Sequence, residues 1–196
     1  MRRIDKPADS KVLSKKLTYK DGGDNKKLAQ ALCDEQFNIC AYTETYLGRA
    51  DKKDIEHFNP TIKGTLDDNY ENWFLVKAQW NSEKGKKWVD FQPVLYPTAH
   101  DFEQRIIYFE GNYDTANPND LEATNLIQLL KLDDPLLADT RKRYIQRIKS
   151  TINYSGKTNQ DFIDDLLVTD PDGLYFIRAI EEELNVKVNF DLLRTK

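Results

Sequence analysis

Asp54-Ile-Glu-His-Phe-Asn-Pro60 is the stretch on which the reading of this 196-residue chain turns. It contains His57, one of two histidines, with the carboxylate of Glu56 immediately before it. Ile55 to Phe58 reads as a short strand, stopped at Asn59-Pro60 because proline lacks a backbone donor and biases the residue before it away from the helix. Outward from there, residues 61–71 are polar and broken by Gly64 and Asp67-Asp-Asn69, which predicts a long loop. Trp73-Phe-Leu-Val76 is the next strand, and residues 81–88 carry helix-compatible side chains. The local order is therefore strand, long loop, strand, helix.

Two asparagines punctuate that order. Asn72 follows His57 by 15 positions and Asn81 follows Asn72 by 9, and Asn81-Ser-Glu-Lys-Gly85 then leads into Lys86 and Lys87. Phosphodiester hydrolysis needs a base for water, stabilisation of charge growing on the phosphate, and neutralisation of the leaving oxygen. A neutral imidazole suits the first task because its unperturbed pKa lies near neutrality. A hard cation such as Mg²⁺ suits the others, and takes one or two oxygens from protein while leaving room for phosphate and water. Glu56 and Asn81 can supply such oxygens. Alternation along a strand aims Glu56 and His57 apart, so both serve one site only where the strand twists or near its end.

Residues 40–85 resemble the HNH (His-Me finger, ββα-metal) endonucleases, which carry an acidic-His pair on a first strand, an Asn in or near the second, and a His or Asn on the following helix. The matching residues are Glu56-His57, Asn72 and Asn81, with Asn81 to Gly85 similar to the common Asn-x-x-Lys-Gly ending. The resemblance implies a ββα-metal finger in a mainly helical α+β domain. In it His57 is the general base, Glu56 and Asn81 hold Mg²⁺ or Mn²⁺, Asn72 fixes the long loop, and Lys84 lies near the phosphate. Lys77, Lys84, Lys86 and Lys87 make up the expected nucleic-acid-binding set. Many members brace the finger with zinc on two Cys-x-x-Cys pairs. Here the first pair reads Cys40-Ala-Tyr-Thr43 and the second falls at Lys77 and Trp80, so no structural zinc is expected.

Ala31-Leu-Cys-Asp-Glu-Gln36, Cys40-Ala-Tyr-Thr-Glu44, residues 102–113, Leu129-Leu-Lys-Leu-Asp133 and Arg141-Lys-Arg143 further resemble PtuB-type proteins, the nuclease subunits of Septu and some retron antiphage systems. That implies a bacterial cytoplasmic DNA endonuclease working with a PtuA-type ATPase. Two alternatives stay open: an HNH-like subunit that positions nucleic acid without cutting, and a nuclease acting on RNA.

The rest of the chain bounds these readings. Hydrophobic residues make up 39% and charged residues 32%, with net charge −4, which excludes a disordered chain and argues against indiscriminate nucleic-acid binding. Residues 1–100 carry 17 basic and 15 acidic side chains, a net of +2, whereas residues 101–196 carry 12 and 18, a net of −6. No apolar run is long enough to span a bilayer, and no apolar stretch follows the first charges, so neither a membrane partner nor a secretory signal is expected. Cys33 and Cys40 are too few for a disulfide framework and read as buried apolar residues. His100 reads as a loop residue.

The expected organisation is a basic arm over 1–24, a core over 25–118 and an acidic helical region over 119–196, which is the expected docking surface for the partner. Helices are expected over 26–37, capped by Asp24 or Asn25, from Asp120 to about 131, from Pro135 to about 152, over 160–168 and over 174–184. Residues 40–44 are expected to be strand-like, and residues 105–113 a hairpin turning at Gly111-Asn112.

Overall fold

A computed structural model describes residues 1–193, except for the side chain of Lys86. The molecule is α+β and mainly helical. The first residues are packed against the body. Val12 is buried on the one-turn helix α1, Lys11–Ser14, which Ser10 caps by accepting from the Val12 N–H at 2.9 Å. Helix α2, Lys26–Glu35, opens with Asp24 accepting from the Lys26 N–H at 2.9 Å, while Asn25 instead binds both backbone groups of Lys20 at 2.8 Å. Residues 40–44 fold as turns rather than strand. Glu44 has φ +56°, and its N–H closes on the Cys40 carbonyl at 3.0 Å; one antiparallel bridge, Ile39 to Tyr46, flanks them.

Strands β1, Lys53–His57, and β2, Trp73–Lys77, form an antiparallel pair with His57 opposite Trp73 and Asp54 opposite Val76. The 15 intervening residues fold as two short 3₁₀ turns and a loop. Helix α3, Ala78–Lys84, follows β2 directly and begins three residues before the expected start. It stops at Gly85, whose φ of +42° and ψ of −124° only glycine adopts at low cost, and a 3₁₀ stretch runs on to Phe91.

A one-turn helix, α4, Phe102–Arg105, leads into the hairpin of β3, Ile106–Phe109, and β4, Asn112–Thr115. Its turn is Glu110-Gly111, one residue earlier than expected. Both have positive φ (+45° and +86°), as a two-residue turn matched to strand twist requires. Helices α5, Leu121–Leu130, α6, Pro135–Ser155, α7, Asn159–Thr169, and α8, Ile177–Leu184, follow. Asp120, Asp134 and Thr158 cap the first three through side-chain oxygens.

The apolar residues gather in two clusters. The first unites the N-terminal segment, β1, β2, the hairpin and α5, with Phe58, Phe74 and Leu126 fully buried; each is worth roughly 1.5–3 kcal/mol of transfer free energy. The second unites α6, α7 and α8 with Ile39. Tyr108 packs against both. Helix α5 thus packs with the first cluster, together with Leu132. Among the described residues no helix is long and apolar enough to cross a membrane.

Candidate active site

Strand β1 presents two faces to different neighbours. On one, Asp54 and Glu56, two residues apart, meet α3. Asn81 Nδ2 lies 3.0 Å from Asp54 Oδ2, and the Lys84 ammonium donates to Glu56 Oε1 and, at 2.9 Å, to the His57 carbonyl. Asn81 and Lys84 are three apart on the helix and so share its face. The i, i+2 spacing of the strand and the i, i+3 spacing of the helix mesh side by side. On the other face His57, the last residue of β1, meets the long loop. Its Nε2 lies 3.2 Å from Asp68 Oδ2, and its ring takes the Tyr19 ring in a T-shaped contact at 4.4 Å between centroids. Asp54, Glu56, His57, Asn81 and Lys84 all line one cavity of about 1140 Å³.

Asn72 braces the loop. Its Oδ1 accepts from the Asn59 N–H at 2.7 Å, and its Nδ2 donates to the Asn59 carbonyl and to Asp68 Oδ1, both at 3.1 Å. Trp73 Nε1 donates to the same Asp68 oxygen at 2.7 Å, and the Gly64 N–H donates to Asp68 Oδ2 at 3.1 Å. Burial alone would raise the Asp68 pKa, but these three donors and the neighbouring imidazole hold it below the usual carboxylate value. Burial lowers the pKa of His57, and Asp68 opposes that only in part. The imidazole is therefore neutral near pH 7, the form a base needs.

Lys84 and Glu56 are 3% and 2% exposed, and burial pushes both toward neutrality: Glu56 upward, against the pull of Lys84 and the Tyr42 hydroxyl at 3.3 Å, and Lys84 downward, against the pull of Glu56. Lys84 was expected beside a phosphate; here its ammonium is spent on Glu56 and on a carbonyl. Glu56 and Asn81 were expected to share a metal; here each has a separate partner across the strand–helix contact. Lys77 and Lys87 of the expected nucleic-acid set lie outside this cluster. Lys77 pairs with Asp51 at 3.2 Å, and Lys87 is exposed. The side chain of Lys86 lies outside the described residues.

The donors are of the kind a hard divalent ion takes: two carboxylates on one strand face and an amide. The buried Lys84 ammonium on Glu56 marks a position where this site already accommodates a cation. Among the described residues no three His, Cys, Asp or Glu side chains cluster as metal ligands, so such an ion would draw on no more than two carboxylates together with Asn81. Cys40 is buried, and the Lys77 N–H approaches its Sγ at 3.4 Å. Tyr42 and Asp68 had no signal in the sequence. Asp54 had one, its i, i+2 spacing to Glu56 on a strand.

In comparisons with protein-family models, curated proteins and solved structures, nothing matches this chain.

Proposed function

We propose that this chain is a divalent-metal-dependent endonuclease of the HNH kind, hydrolysing phosphodiester bonds in DNA. The observation that carries the reading is the convergence of Asp54, Glu56, His57 and Asn81 from β1 and α3 on one cavity, with Asn72 tying the intervening loop to the end of β1. In this reading His57 takes a proton from the attacking water as the P–O3′ bond breaks. Glu56 and Asn81, with Asp54 beside them, would hold the metal, which would supply charge stabilisation at the phosphate and at the departing 3′ oxygen, and solvent protonates that oxygen. The resemblance to PtuB-type proteins supports a bacterial defence setting with an ATPase partner. A nuclease that must stay silent until triggered also fits a site whose Glu56 is held by Lys84.

That same contact favours a second reading, a subunit that positions nucleic acid without cutting, because Lys84 competes for the carboxylate a metal would need. Plasmid cleavage with Mg²⁺ or Mn²⁺, alone and with a co-expressed ATPase partner, separates the two. The nuclease reading expects cleavage by the wild type that disappears in His57→Ala while DNA affinity is retained. Indistinguishable wild-type and variant behaviour, on DNA and on matched RNA, would establish the non-cutting subunit instead; cleavage of RNA alone would change the substrate.

A further inference from the structure

We infer that Asp68 is the positioning residue for His57, a carboxylate brought from the long loop that fixes which imidazole nitrogen is basic. The inference rests on the nuclease reading for its catalytic meaning, but its physical content is testable without it.

Three independent observations converge. Asp68 Oδ2 lies 3.2 Å from His57 Nε2, and both side chains are buried. The carboxylate is itself held from three directions, by Asn72 Nδ2 and Trp73 Nε1 on Oδ1 and by the Gly64 N–H on Oδ2, so it cannot swing away without breaking several bonds. Finally, His57 Nε2 is buried and makes no hydrogen bond, and the Asp68 carboxylate oxygen at 3.2 Å is the charged acceptor beside it. A buried donor left in that state is costly, and the nearby charged acceptor relieves it after a small ring rotation. An ionised carboxylate can only accept. At 3.2 Å a bare Nε2 lone pair would face the carboxylate's own lone pairs, so the arrangement favours the hydrogen on Nε2 and the neutral ring's lone pair on Nδ1. Asn72 then acts on His57 at one remove, through Asp68 as well as through the Asn59 backbone.

The Asp68→Asn substitution tests this. An amide at position 68 keeps the size, and its oxygen can still accept from Asn72 and Trp73, but its NH₂ in the place of Oδ2 loses the Gly64 N–H and offers Nε2 an N–H instead of a lone pair, favouring the opposite tautomer. The readout is the long-range ¹H–¹⁵N correlation spectrum of protein labelled at histidine nitrogen, recorded at one pH where the ring is neutral, with His100→Gln used to assign the two histidines. The wild type should show Nε2–H at His57, and D68N should move the population toward Nδ1–H. Cleavage kinetics should show kcat falling roughly 10- to 100-fold with KM nearly unchanged, as for loss of an orienting partner.

A wild-type ring in the Nδ1–H form overturns the inference even should D68N not fold, as does an identical tautomer pattern in both proteins. Absence of cleavage by any variant under any condition removes the nuclease reading, and the tautomer result then still decides whether Asp68 orients the ring.

Discussion

Lys84 and Glu56 illustrate how a single pair can serve and restrain a site. Two opposite charges that are 3% and 2% exposed have each lost most of their hydration, and their mutual attraction with the Tyr42 hydroxyl and the His57 carbonyl compensates only in part. Removing one member leaves the other buried and uncompensated. Lys84→Met is therefore expected to destabilise the protein by about 3–5 kcal/mol, a large share of the stability of a domain this size. Urea unfolding at neutral pH measures it. Added Mg²⁺ should restore more stability to K84M than it adds to the wild type, because the ion and the ammonium would compensate the same carboxylate. An equal response in both proteins would show that Glu56 is not where a metal binds.

At the scale of elements, two glycines end or turn structures for different reasons. Gly85 closes α3 at φ +42°, and a Cβ added there meets nothing within 4 Å. Gly111 turns the β3–β4 hairpin at φ +86°, and a Cβ there lies 2.7 Å from the Ala138 carbonyl oxygen and 2.6 Å from Lys142 Cγ on α6. The Gly111 carbonyl also accepts from the buried guanidinium of Arg141. Gly85→Ala should thus cost only backbone strain, about 1–2 kcal/mol. Gly111→Ala should cost more, because the hairpin must also back away from α6. Denaturation midpoints of the two variants give the comparison; equal losses would mean that the hairpin does not bear on α6 through this turn.

The N-terminal segment shows how stability belongs to the molecule as a whole. Lys6 as a residue is half-buried, but its ammonium is enclosed. It donates to the Trp73 carbonyl and lies 4.3 and 4.2 Å from the centroids of the Tyr70 and Phe74 rings, which ties the segment to β2. Burial lowers its pKa to about 7 from 10.5, against the pull of Glu71 and Glu35. Between those values the unfolded chain holds a proton that the folded one lacks, so this group makes stability rise with pH from about 7 to 10.5 and become independent of pH below 7. Lys6→Met should flatten that part of the profile. Urea unfolding at intervals from pH 6 to pH 10 reads the slope, and a slope the same in both proteins would place the titrating group elsewhere.

Elsewhere the two clusters are stitched together by buried polar groups drawn from distant parts of the chain. Glu44 accepts from the Tyr113 hydroxyl at 2.9 Å and from the Arg2 N–H at 3.1 Å, and its carbonyl accepts from the Phe176 N–H at 2.8 Å. Arg178 donates to the Met1 and Glu103 carbonyls, both at 3.2 Å.

The local periodicities in the sequence determined most of the elements. A β-prone run ending at Asn59-Pro60, a second at Trp73, and the caps Asp120, Asp134 and Thr158 ahead of apolar repeats are decided by neighbours within a few residues, so the strands and the later helices could be read from residue order. The spacing of Glu56, His57, Asn72 and Asn81 likewise brought the candidate site into view. Only the tertiary structure decided the partners. Asn81 met Asp54, Lys84 was drawn onto Glu56, and Asp68 came to His57 from the middle of a polar loop. The first residues became part of the core, and the Glu44 carboxylate at the end of the 40–44 turns took donors from positions 2 and 113. Each of these depends on burial, which strips water from a charge and obliges it to take whichever partner the fold brings within reach. Sequence distance carries no information about which partner that is.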